Sequence, residues 1–434
     1  MNLLLTGGRV IDPSQNLDEQ MDILIEYGKI AEIGKNIHKT RINSRKSAEE
    51  IKIINVNGTI MVPGLIDMHT HLREPGFEYR ETIQTGSKAA AAGGFTSIAC
   101  MPNTKPVNDT RSVTEYIKRT AAACNLVNVY PIASISMGSE GTTMTEFRDM
   151  KEAGAVAFSD DGKPVTDSAL MKRALEYASS LNMPIISHCE EMCLSAGGSM
   201  NEGFVATELG LQGIPTIAED IIVARDIIIA DYTRTILHIA HVSTAGAVRL
   251  IRDAKKRGIR VTAETAPHYF TLTDEVLREF DTCAKVNPPL RTIDDVNAIK
   301  DGLNDGTIDV IASDHAPHAR TDKELEFEYA AFGITGLETS LALALRLVDD
   351  DILTLNQLIF MMSTNPARIL NIPKGTLKIG TDADITVIDL DKVWTVDRST
   401  LLSKGKNTPF HGWTMKGRAV LTIMGGEIKY SELS

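Results

Sequence analysis

Between residues 64 and 373, short runs rich in β-branched residues alternate with Ala- and Leu-rich segments of helical period. Eight of these runs have the length and composition of strands: GLIDMHTHL (64–72), FTSIACM (95–101), NVYPIASIS (128–136), AVAFSDD (155–161), PIISHCE (184–190), TILHIAHVS (235–243), RVTAETAPH (260–268) and DVIASDHAPH (309–318). Helical patterns lie between them, for example over 168–182 and 246–258. Eight successive strand–helix units predict a (β/α)8 barrel, in which functional side chains collect where the strands end.

The two ends of the chain have a different pattern. Residues 2–62 alternate apolar and polar positions around turns such as Tyr27-Gly28, and residues 382–430 do the same around Gly425-Gly426. Such patterns predict β-hairpins. We therefore predict an α/β protein in which residues 1–62 and 374–434 pair into one composite β-sandwich, beside a catalytic (β/α)8 barrel over residues 63–373. Two independent small domains would produce a similar sequence and stay an alternative.

Composition excludes several classes of protein. The 434 residues include 45 Lys and Arg against 57 Asp and Glu, a formal net charge of −12, which argues against a nucleic-acid-binding or anionic-membrane-binding protein. No apolar run approaches the roughly 18 to 20 residues that span a bilayer, and no secretory signal precedes the first predicted strand. The five cysteines are scattered and odd in number. We therefore expect a reducing, cytoplasmic location.

Candidate metal ligands follow the first predicted strand. Asp67, His69 and His71 share parity, so on an extended strand their side chains face the same way. Two imidazoles at this spacing can reach one metal ion. A single His-x-His pair also arises by chance in surface strands. Here it runs directly into the polar segment 73–76, which favours a site.

Further candidates stand at the ends of later strands: Asp160 or Asp161 after the fourth, His188 after the fifth, His241 after the sixth and Asp314 after the eighth. The two adjacent aspartates have opposite parity, so only one can point into the barrel mouth. Each residue alone is more often a hydrogen-bonded histidine or a helix cap. Their recurrence at the ends of five strands predicts one convergent metal centre.

The predicted donor set indicates the metal and the chemistry. Four imidazoles and two carboxylates without a thiolate suit Zn²⁺, with Mn²⁺, Co²⁺ and Fe²⁺ left open. Six ligands are too many for one tetrahedral catalytic zinc, but they suit two ions about 3.5–4 Å apart that share a carboxylate and a hydroxide. The expected reaction is metal-assisted attack on an amide or ureide.

Longer motifs make the sequence recognisable. It resembles the type I dihydroorotases of the amidohydrolase superfamily through DMHTHLREPG (67–76), CMPNTKP (100–106), AFSDDG (157–162), SHCEE (187–191), AHVST (240–244), KVNPPLR (285–291), SDHAPH (313–318), FGITGLET (332–339) and KGKNTPFHGW (404–413). The resemblance runs nearly end to end with the motifs in order. It implies an enzyme that interconverts N-carbamoyl-L-aspartate and L-dihydroorotate in de novo pyrimidine (UMP) biosynthesis, using a hydroxide that bridges two zinc ions.

The same resemblance assigns the ligands. It implies that His69 and His71 bind one zinc, His188 and His241 bind the other, Asp161 bridges them, and Asp314 binds the first zinc and acts as general acid/base. Related hydantoinases and allantoinases place a carboxylated lysine at the bridging position. In this sequence the lysine of AFSDDGK, Lys163, comes only after Gly162, which favours the dihydroorotase type.

Substrate contacts also follow from the resemblance. Arg73 is expected to bind the substrate α-carboxylate through its planar fork, with Asn103 and His318 on the same carboxylate and Asn287 on the ring amide edge. A surface ion pair for Arg73 and turn roles for the two asparagines are the alternative interpretations. We expect His238, His268 and His315 to lie outside the site, and the polar segment 319–331 is a candidate for a loop that covers the substrate.

Two other functional classes stay open. One is another cyclic amidohydrolase, such as a dihydropyrimidinase or an allantoinase, whose uncharged substrates would not need Arg73. The other is an inactive barrel that serves as a scaffold for an aspartate transcarbamoylase. The resemblance further implies a homodimer and, as in some type I enzymes, a complex with that transcarbamoylase.

Overall fold

The computed structural model describes residues 2–37 and 51–433. Strands in these ranges are β1 (Asn2–Asp12), β2 (Leu17–Glu26), β3 (Lys29–Gly34), β4 (Ile51–Asn55), β5 (Ile60–Pro63), β6 (Leu65–Thr70), β7 (Phe95–Cys100), β8 (Asn128–Ala133), β9 (Ala157–Phe158), β10 (Ile185–Ser187), β11 (Met200–Asn201), β12 (Gly213–Ile214), β13 (Leu237–Ile239), β14 (Val261–Thr265), β15 (Val310–Ile311), β16 (Ile385–Thr395), β17 (Thr414–Met424) and β18 (Glu427–Ser431).

Helices in the same ranges are α1 (Ile83–Ala92), α2 (Arg111–Cys124), α3 (Phe147–Ala153), α4 (Ser168–Ser180), α5 (Met192–Ser195), α6 (Phe204–Leu209), α7 (Ile217–Thr233), α8 (Ala245–Lys256), α9 (Pro267–Thr271), α10 (Ile293–Asn304), α11 (Arg320–Lys323), α12 (Ser340–Asp349), α13 (Leu355–Ile359) and α14 (Asn365–Ile369). A π-helical turn, Phe360–Thr364, joins the last two. Among the described residues, none of the helices combines the length and the apolar character needed to cross a membrane.

The centre of the molecule is a barrel of eight parallel strands. They hydrogen-bond in the order β6, β7, β8, β9, β10, β13, β14, β15. Between the first and last strands, Thr70 pairs with His315, and the His71 amide donates to the His315 carbonyl over 2.8 Å. The barrel is therefore nearly closed. Each strand lies within one of the eight predicted runs, so the predicted barrel fold is confirmed.

Helix α8 illustrates why the segments between strands become helical. The Thr244 side chain caps its first turn by accepting from the Ala247 amide over 3.0 Å. Its apolar residues recur at helical spacing, and Val248 and Ile251 are buried against the barrel. Lys255 and Lys256 stand in the last turn, where cations interact favourably with the helix dipole.

Strands from both chain ends form a separate sheet. Its order is β18-β17-β16-β5-β1-β2-β3, with β4 paired to the remaining part of β1. The antiparallel pairing of β5 with β16 joins the two ends, and the predicted hairpin turns at Tyr27-Gly28 and Gly425-Gly426 are present. A composite β module built from both ends is thus confirmed, with its strands connected in one sheet. Its boundaries at 62/63 and 373/374 stay a prediction, and residues 1, 38–50 and 434 lie outside the described residues.

Candidate metal centre and active site

The predicted metal ligands lie together where the barrel strands end. Each ligand stands at the end of a barrel strand or within a few residues after it. All six are buried: His69, His71, Asp161, His188, His241 and Asp314. Their ligating atoms form two groups, His69 with His71 and Asp161, and Asp161 with His188 and His241. Both groups contain Asp161. The structure therefore brings together all six residues that the sequence singled out.

The carboxylate of Asp161 stands between the two histidine pairs. Its Oδ1 lies 3.4 Å from Nε2 of His69 and 3.4 Å from Nε2 of His241. On the first side Oδ2 lies 3.6 Å from Nε2 of His71, and on the second Oδ1 lies 3.6 Å from Nδ1 of His188. Such a placement suits a carboxylate shared by two cations.

Asp314 completes the first group from the end of β15, the strand that lies beside β6 where the barrel closes. Its Oδ1 lies 3.1 Å from Nε2 of His71 and 3.5 Å from Nε2 of His69. The backbone of Asp314 has φ 47°, and that of His241 has φ 32°, both in the left-handed region that residues other than glycine rarely adopt. Strained backbone of this kind clusters at functional sites, where the surrounding fold holds it in place.

The histidine rings are oriented for metal binding by their outer hydrogen bonds. The Nδ1–H groups of His69 and His71 donate to Glu264 Oε1 (2.5 Å) and Asn103 Oδ1 (3.0 Å), respectively. In His188 the Nε2–H donates to Glu190 Oε2 over 2.9 Å. The opposite nitrogen of each ring is then left as an acceptor that faces the centre.

Two buried atoms in the centre test whether the residues fit a metal. Nε2 of His69 and Oδ1 of Asp161 have no hydrogen-bond partner among the described residues. A buried polar atom without a partner is costly, and a bound cation would satisfy both atoms. Together with the nitrogen and oxygen donor set, these atoms fit borderline divalent ions.

The adjacent Asp160 has a structural role. Its carboxylate accepts from Ser134 Oγ over 2.5 Å, from the Ser136 amide over 3.0 Å, and from Ser136 Oγ. Opposite parity therefore directs Asp161 into the mouth and Asp160 away from it, as expected for two neighbours on a strand. Asp67 is also outside the metal groups, because its carboxylate accepts from the amides of His69 and Ser313.

Charges around the centre favour ionised carboxylates. Burial opposes ionisation of Asp161, but the nearby histidines, His69 foremost, hold the pKa of this carboxyl well below its usual value. Burial would also raise the pKa of the Glu264 carboxyl, yet His69 and His238 lower it to about 2. Burial favours the neutral ring of His188, but Asp161 and Glu190 raise its pKa to about 10, so a bound cation would have to displace the proton on Nδ1 before this ring could act as a ligand. The centre thus presents anionic carboxylates to any bound cation.

The four predicted substrate-binding residues line the same cavity, whose volume is about 230 Å³: Arg73, Asn103, Asn287 and His318. Arg73 is buried, and its Nε donates to the Pro317 carbonyl over 3.2 Å. The amide nitrogen of Asn287 donates to Glu190 Oε2 over 3.0 Å. Cationic and amide donors therefore line the same small cavity as the metal ligands. Arg73 is buried in this cavity and does not form the alternative surface ion pair.

Three histidines lie outside the cavity lining, as the sequence predicts. His238 contacts Thr262 and Glu264, and His315 accepts from the Gly336 amide at Nδ1 and faces Glu81 at Nε2. His268 packs edge-on against Tyr269 and is buried. Burial lowers the pKa of His268 to about 4, so the ring is neutral at neutral pH.

Sequence reasoning missed Glu190 and Glu264, which orient His188 and His69. Both stood within quoted runs, and Glu264 carried a usable signal. It is the only acidic residue in the strand RVTAETAPH, and a carboxylate on an otherwise buried strand needs a partner. The sequence does not indicate that the partner of Glu264 is His69, because the two residues are far apart along the chain.

Barrel, cavity and donor set together define a metal-dependent hydrolase with the amidohydrolase fold. A family model of dihydro-orotase-like proteins matches residues 58–247, and a model of the amidohydrolase family matches residues 223–430. The chain is 63% identical to a dihydroorotase from Syntrophus aciditrophicus over 432 residues, with 100% of both chains covered. It is 58% identical to one from Geobacter metallireducens over 430 residues, covering 99% of this chain and 100% of the relative. The chain belongs to the dihydroorotase family.

Solved structures support the fold independently. An L-hydantoinase (dihydropyrimidinase) from Arthrobacter aurescens superposes with a TM-score of 0.87 at 26% identity, covering 100% of this chain and 96% of that one. A dihydropyrimidinase from Brevibacillus agri gives 0.84 at 24% identity, with 99% and 95% covered. The same fold therefore occurs, over nearly the whole chain, in proteins named hydantoinase and dihydropyrimidinase.

Proposed function

We propose that this chain is a zinc-dependent dihydroorotase, which closes N-carbamoyl-L-aspartate to L-dihydroorotate reversibly in pyrimidine biosynthesis leading to UMP. Sequence identities of 63% and 58% to two dihydroorotases, over nearly the whole chain, support this activity. The observation that carries the assignment is Arg73, a buried cation in the same cavity as the metal centre. A guanidinium in that place matches a substrate carboxylate, which hydantoin rings lack.

His69, His71 and Asp314 would hold one Zn²⁺, His188 and His241 a second, and Asp161 would stand between them. When bound, such ions supply a nucleophilic water at neutral pH and polarise the carbonyl under attack. Glu264, Asn103 and Glu190 would keep the histidine rings in the required tautomers.

Asp314 would act as the general acid/base. In the ring-opening direction its carboxylate takes a proton from the attacking water and then delivers it to the departing ring nitrogen. Ring closure uses the same two transfers in reverse order. Its position supports the role, because Oδ1 reaches within 3.5 Å of both His69 and His71 and faces the cavity.

Arg73, Asn103 and His318 would bind the α-carboxylate, and Asn287 the ring amide edge. The Nη2 of Arg73 lies 3.3 Å from Nε2 of His318, so the two side chains converge on one place. Asn103 couples this group to the metal centre because its Oδ1 accepts from His71. The substrate is thereby held at one end while its amide faces the centre.

A second candidate activity is the opening of hydantoin or dihydropyrimidine rings, favoured by the TM-score of 0.87 to an L-hydantoinase. Parallel assays of the zinc-loaded protein with L-dihydroorotate and hydantoin separate the two. We expect turnover of L-dihydroorotate with little hydantoin opening. The reverse preference would replace the dihydroorotase assignment.

We further propose a cytoplasmic homodimer that is able to engage an aspartate transcarbamoylase. Light scattering of the purified chain tests the dimer, and repeating the dihydroorotate assay with added transcarbamoylase tests the complex. An inactive scaffold is opposed by the six competent side chains of the centre. Metal analysis decides this point, since a protein without bound zinc and without rescue by added zinc would support the scaffold.

A further inference from the structure

A second cavity shares one lining residue, His318, with the candidate active site. Its volume is about 570 Å³, compared with about 230 Å³ for the cavity that holds the metal ligands. Segments 281–283, 318–324 and 398–407 supply its walls. His318 lines both spaces and is itself buried. We call this second space the basic cavity.

Positive charge dominates the walls of the basic cavity. Its lining contains five cationic side chains and two carboxylates: Arg320, Lys323, Arg398, Lys404 and Lys406, with Asp281 and Glu324. The formal excess is three positive charges in a chain whose net charge is −12. A concave surface with one dominant sign of charge attracts ligands of the opposite sign.

Ion pairs do not neutralise the lysines of this lining. Lys404 donates to the Glu78 carbonyl over 2.6 Å, Lys406 to the Ser403 carbonyl over 2.6 Å, and Lys323 to the Ala331 carbonyl over 2.6 Å. Within residues 2–37 and 51–433, no carboxylate oxygen is within 4.0 Å of these three ammonium groups. Carbonyls carry no net charge, so no partner cancels the charges of Lys404 and Lys406. Burial lowers the pKa of Lys323 to about 7, so this lysine contributes only part of a charge at neutral pH.

The basic cavity is mechanically connected to the active site through Asn407. Its Oδ1 accepts from the His318 amide over 2.9 Å. Its Nδ2 donates to the carbonyls of Ala316 and Gly333, each over 2.9 Å, and both of these residues line the active-site cavity. A ligand that contacts Asn407 would therefore act on the wall that presents His318.

Positive potential also reaches His318 itself. Burial, together with Arg73, Lys323 and Arg80, lowers the pKa of His318 to about 2, which leaves the ring neutral. Lys323 belongs to the basic cavity and Arg73 to the active site. Cations of both cavities thus act on the same histidine.

We propose that the basic cavity is a second ligand site, which binds a small anion carrying at least two negative charges on phosphate or carboxylate groups. Its volume lies within the roughly 300–1,000 Å³ typical of small-molecule sites. A bound anion would reduce the positive potential around His318 and Arg73, and so weaken the attraction of the Arg73 guanidinium for the substrate carboxylate. This regulatory consequence rests on the proposed dihydroorotase function, whereas the binding site does not.

The test uses the zinc-loaded full chain and two probes in equilibrium dialysis. Adenosine monophosphate represents phosphate esters, and succinate represents dicarboxylates such as the proposed substrate. The double variant Lys404→Gln/Lys406→Gln should weaken binding of at least one probe by about tenfold or more, the loss of about one charge-assisted interaction. Lys404→Arg/Lys406→Arg keeps the charge and should keep binding.

A matched control removes the same charge elsewhere. Lys88→Gln/Lys256→Gln, on the exposed faces of α1 and α8, should bind both probes like the wild type. Binding of one probe alone identifies the chemical source of the natural ligand. The proposal is overturned if neither probe binds, or if the Lys404→Gln/Lys406→Gln variant binds as tightly as the wild type.

The regulatory step has its own measurement. The probe that binds should raise the KM for L-dihydroorotate by about fivefold, near the lower end of typical couplings between sites, with kcat unchanged. An unchanged KM in the presence of saturating probe would remove the regulatory role. A protein without dihydroorotase activity would refute the proposed function but leave the dialysis result to decide the site.

Discussion

Asp314 is a buried carboxylate that lies beside the metal ligands, is the proposed general acid/base, and has a strained backbone. Its carboxylate reaches His69 and His71, and its φ of 47° is tolerated best by Gly, Asn and Asp. Asp314→Asn therefore keeps the backbone and a neutral oxygen beside His69 and His71 but removes the proton-carrying carboxylate, and zinc content measured in the same variant separates loss of the acid/base from loss of the metal. We expect kcat to fall about 10²–10⁴-fold, the usual value of a general acid/base, with the circular dichroism spectrum unchanged. Near-normal turnover would exclude the acid/base role.

Arg73 tests the substrate assignment. Arg73→Lys keeps the positive charge but loses the planar fork, so the KM for L-dihydroorotate should rise about tenfold or more, the value of a charge-assisted hydrogen bond. Zinc content should not change. Arg80→Lys is the matched control, because Arg80 pairs with Asp322 outside the cavity lining. Loss of zinc in Arg73→Lys would assign this residue to the metal centre instead.

Glu264 tests the outer hydrogen bonds of the centre. Glu264→Gln keeps the shape but removes the charge that holds Nδ1–H of His69, so zinc affinity should fall about 10–100-fold. Zinc retained after dialysis against a chelator measures the change. Glu219→Gln is the control, since Glu219 is also buried but accepts from Ser243 and Thr244 away from the metal groups. Equal zinc retention in the two variants would contradict the prediction.

At the scale of elements, hydrophobic pattern and spacing were enough to locate every barrel strand. Alternating runs give strands, and eight of them with helices between favour a (β/α)8 barrel. Ligand positions followed because the ends of parallel strands meet at one face. Hydrogen bonds between residues far apart in sequence could not be predicted in this way. Examples are the bonds of Glu264 with His69 and of Asn407 with His318. Nothing in local sequence encodes which buried polar groups meet.

Segment 319–331 illustrates the same limit. Its polar composition suggested a loop over the substrate, and that role stays a prediction. Two buried lysines in fact hold this segment: Lys323 lies within it, and Lys285 donates to the carbonyls of Phe327 (2.7 Å) and Glu328 (3.0 Å). The Lys285 ammonium also lies 4.4 Å from the centre of the Phe332 ring, next to Gly333 in the active-site wall.

Lys285→Met tests this contact. Methionine fills a similar volume but leaves two carbonyls without their donor, at a cost of about 1–3 kcal/mol in the free energy of unfolding. We expect faster amide hydrogen exchange over 324–332 and a higher KM, because Phe332 and Gly333 border the substrate cavity. Lys256→Met, on an exposed helix face, is the control. Unchanged exchange in this segment would show that Lys285 does not hold it.

At the scale of the whole molecule, the terminal sheet and the barrel share packing and hydrogen bonds. The hydroxyl of Thr386 in β16 accepts from the Leu65 amide over 3.2 Å and donates to the Gly94 carbonyl over 2.6 Å. Thr422 in β17 donates to the Ala91 carbonyl over 2.7 Å. Ile388 and Ala419 belong to the same apolar cluster as the barrel helices. We therefore expect the two parts to unfold together rather than as separate domains.

Asp12 joins the two chain ends and makes this expectation testable. It is buried, and its Oδ2 accepts from the Leu377 amide over 2.7 Å and from Thr376 Oγ1 over 3.2 Å. Asp12→Ala leaves these donors unpaired and should lower the free energy of unfolding by about 1–3 kcal/mol. Asp18→Ala breaks only the exposed pair with Arg9 and should cost less than about 1 kcal/mol.

Two probes report on the two parts during urea unfolding of these variants. The only two tryptophans are Trp394 in β16 and Trp413 just before β17. Both pack against an apolar cluster that also contains Leu343 of α12, so their fluorescence follows the loss of packing between the C-terminal strands and the barrel. Dihydroorotase activity follows the barrel. In Asp12→Ala both transitions should shift to lower urea by the same amount, since a sheet built from both chain ends cannot open without exposing the barrel face that it covers. A fluorescence transition that moves while the activity transition stays in place would establish two independently folding units.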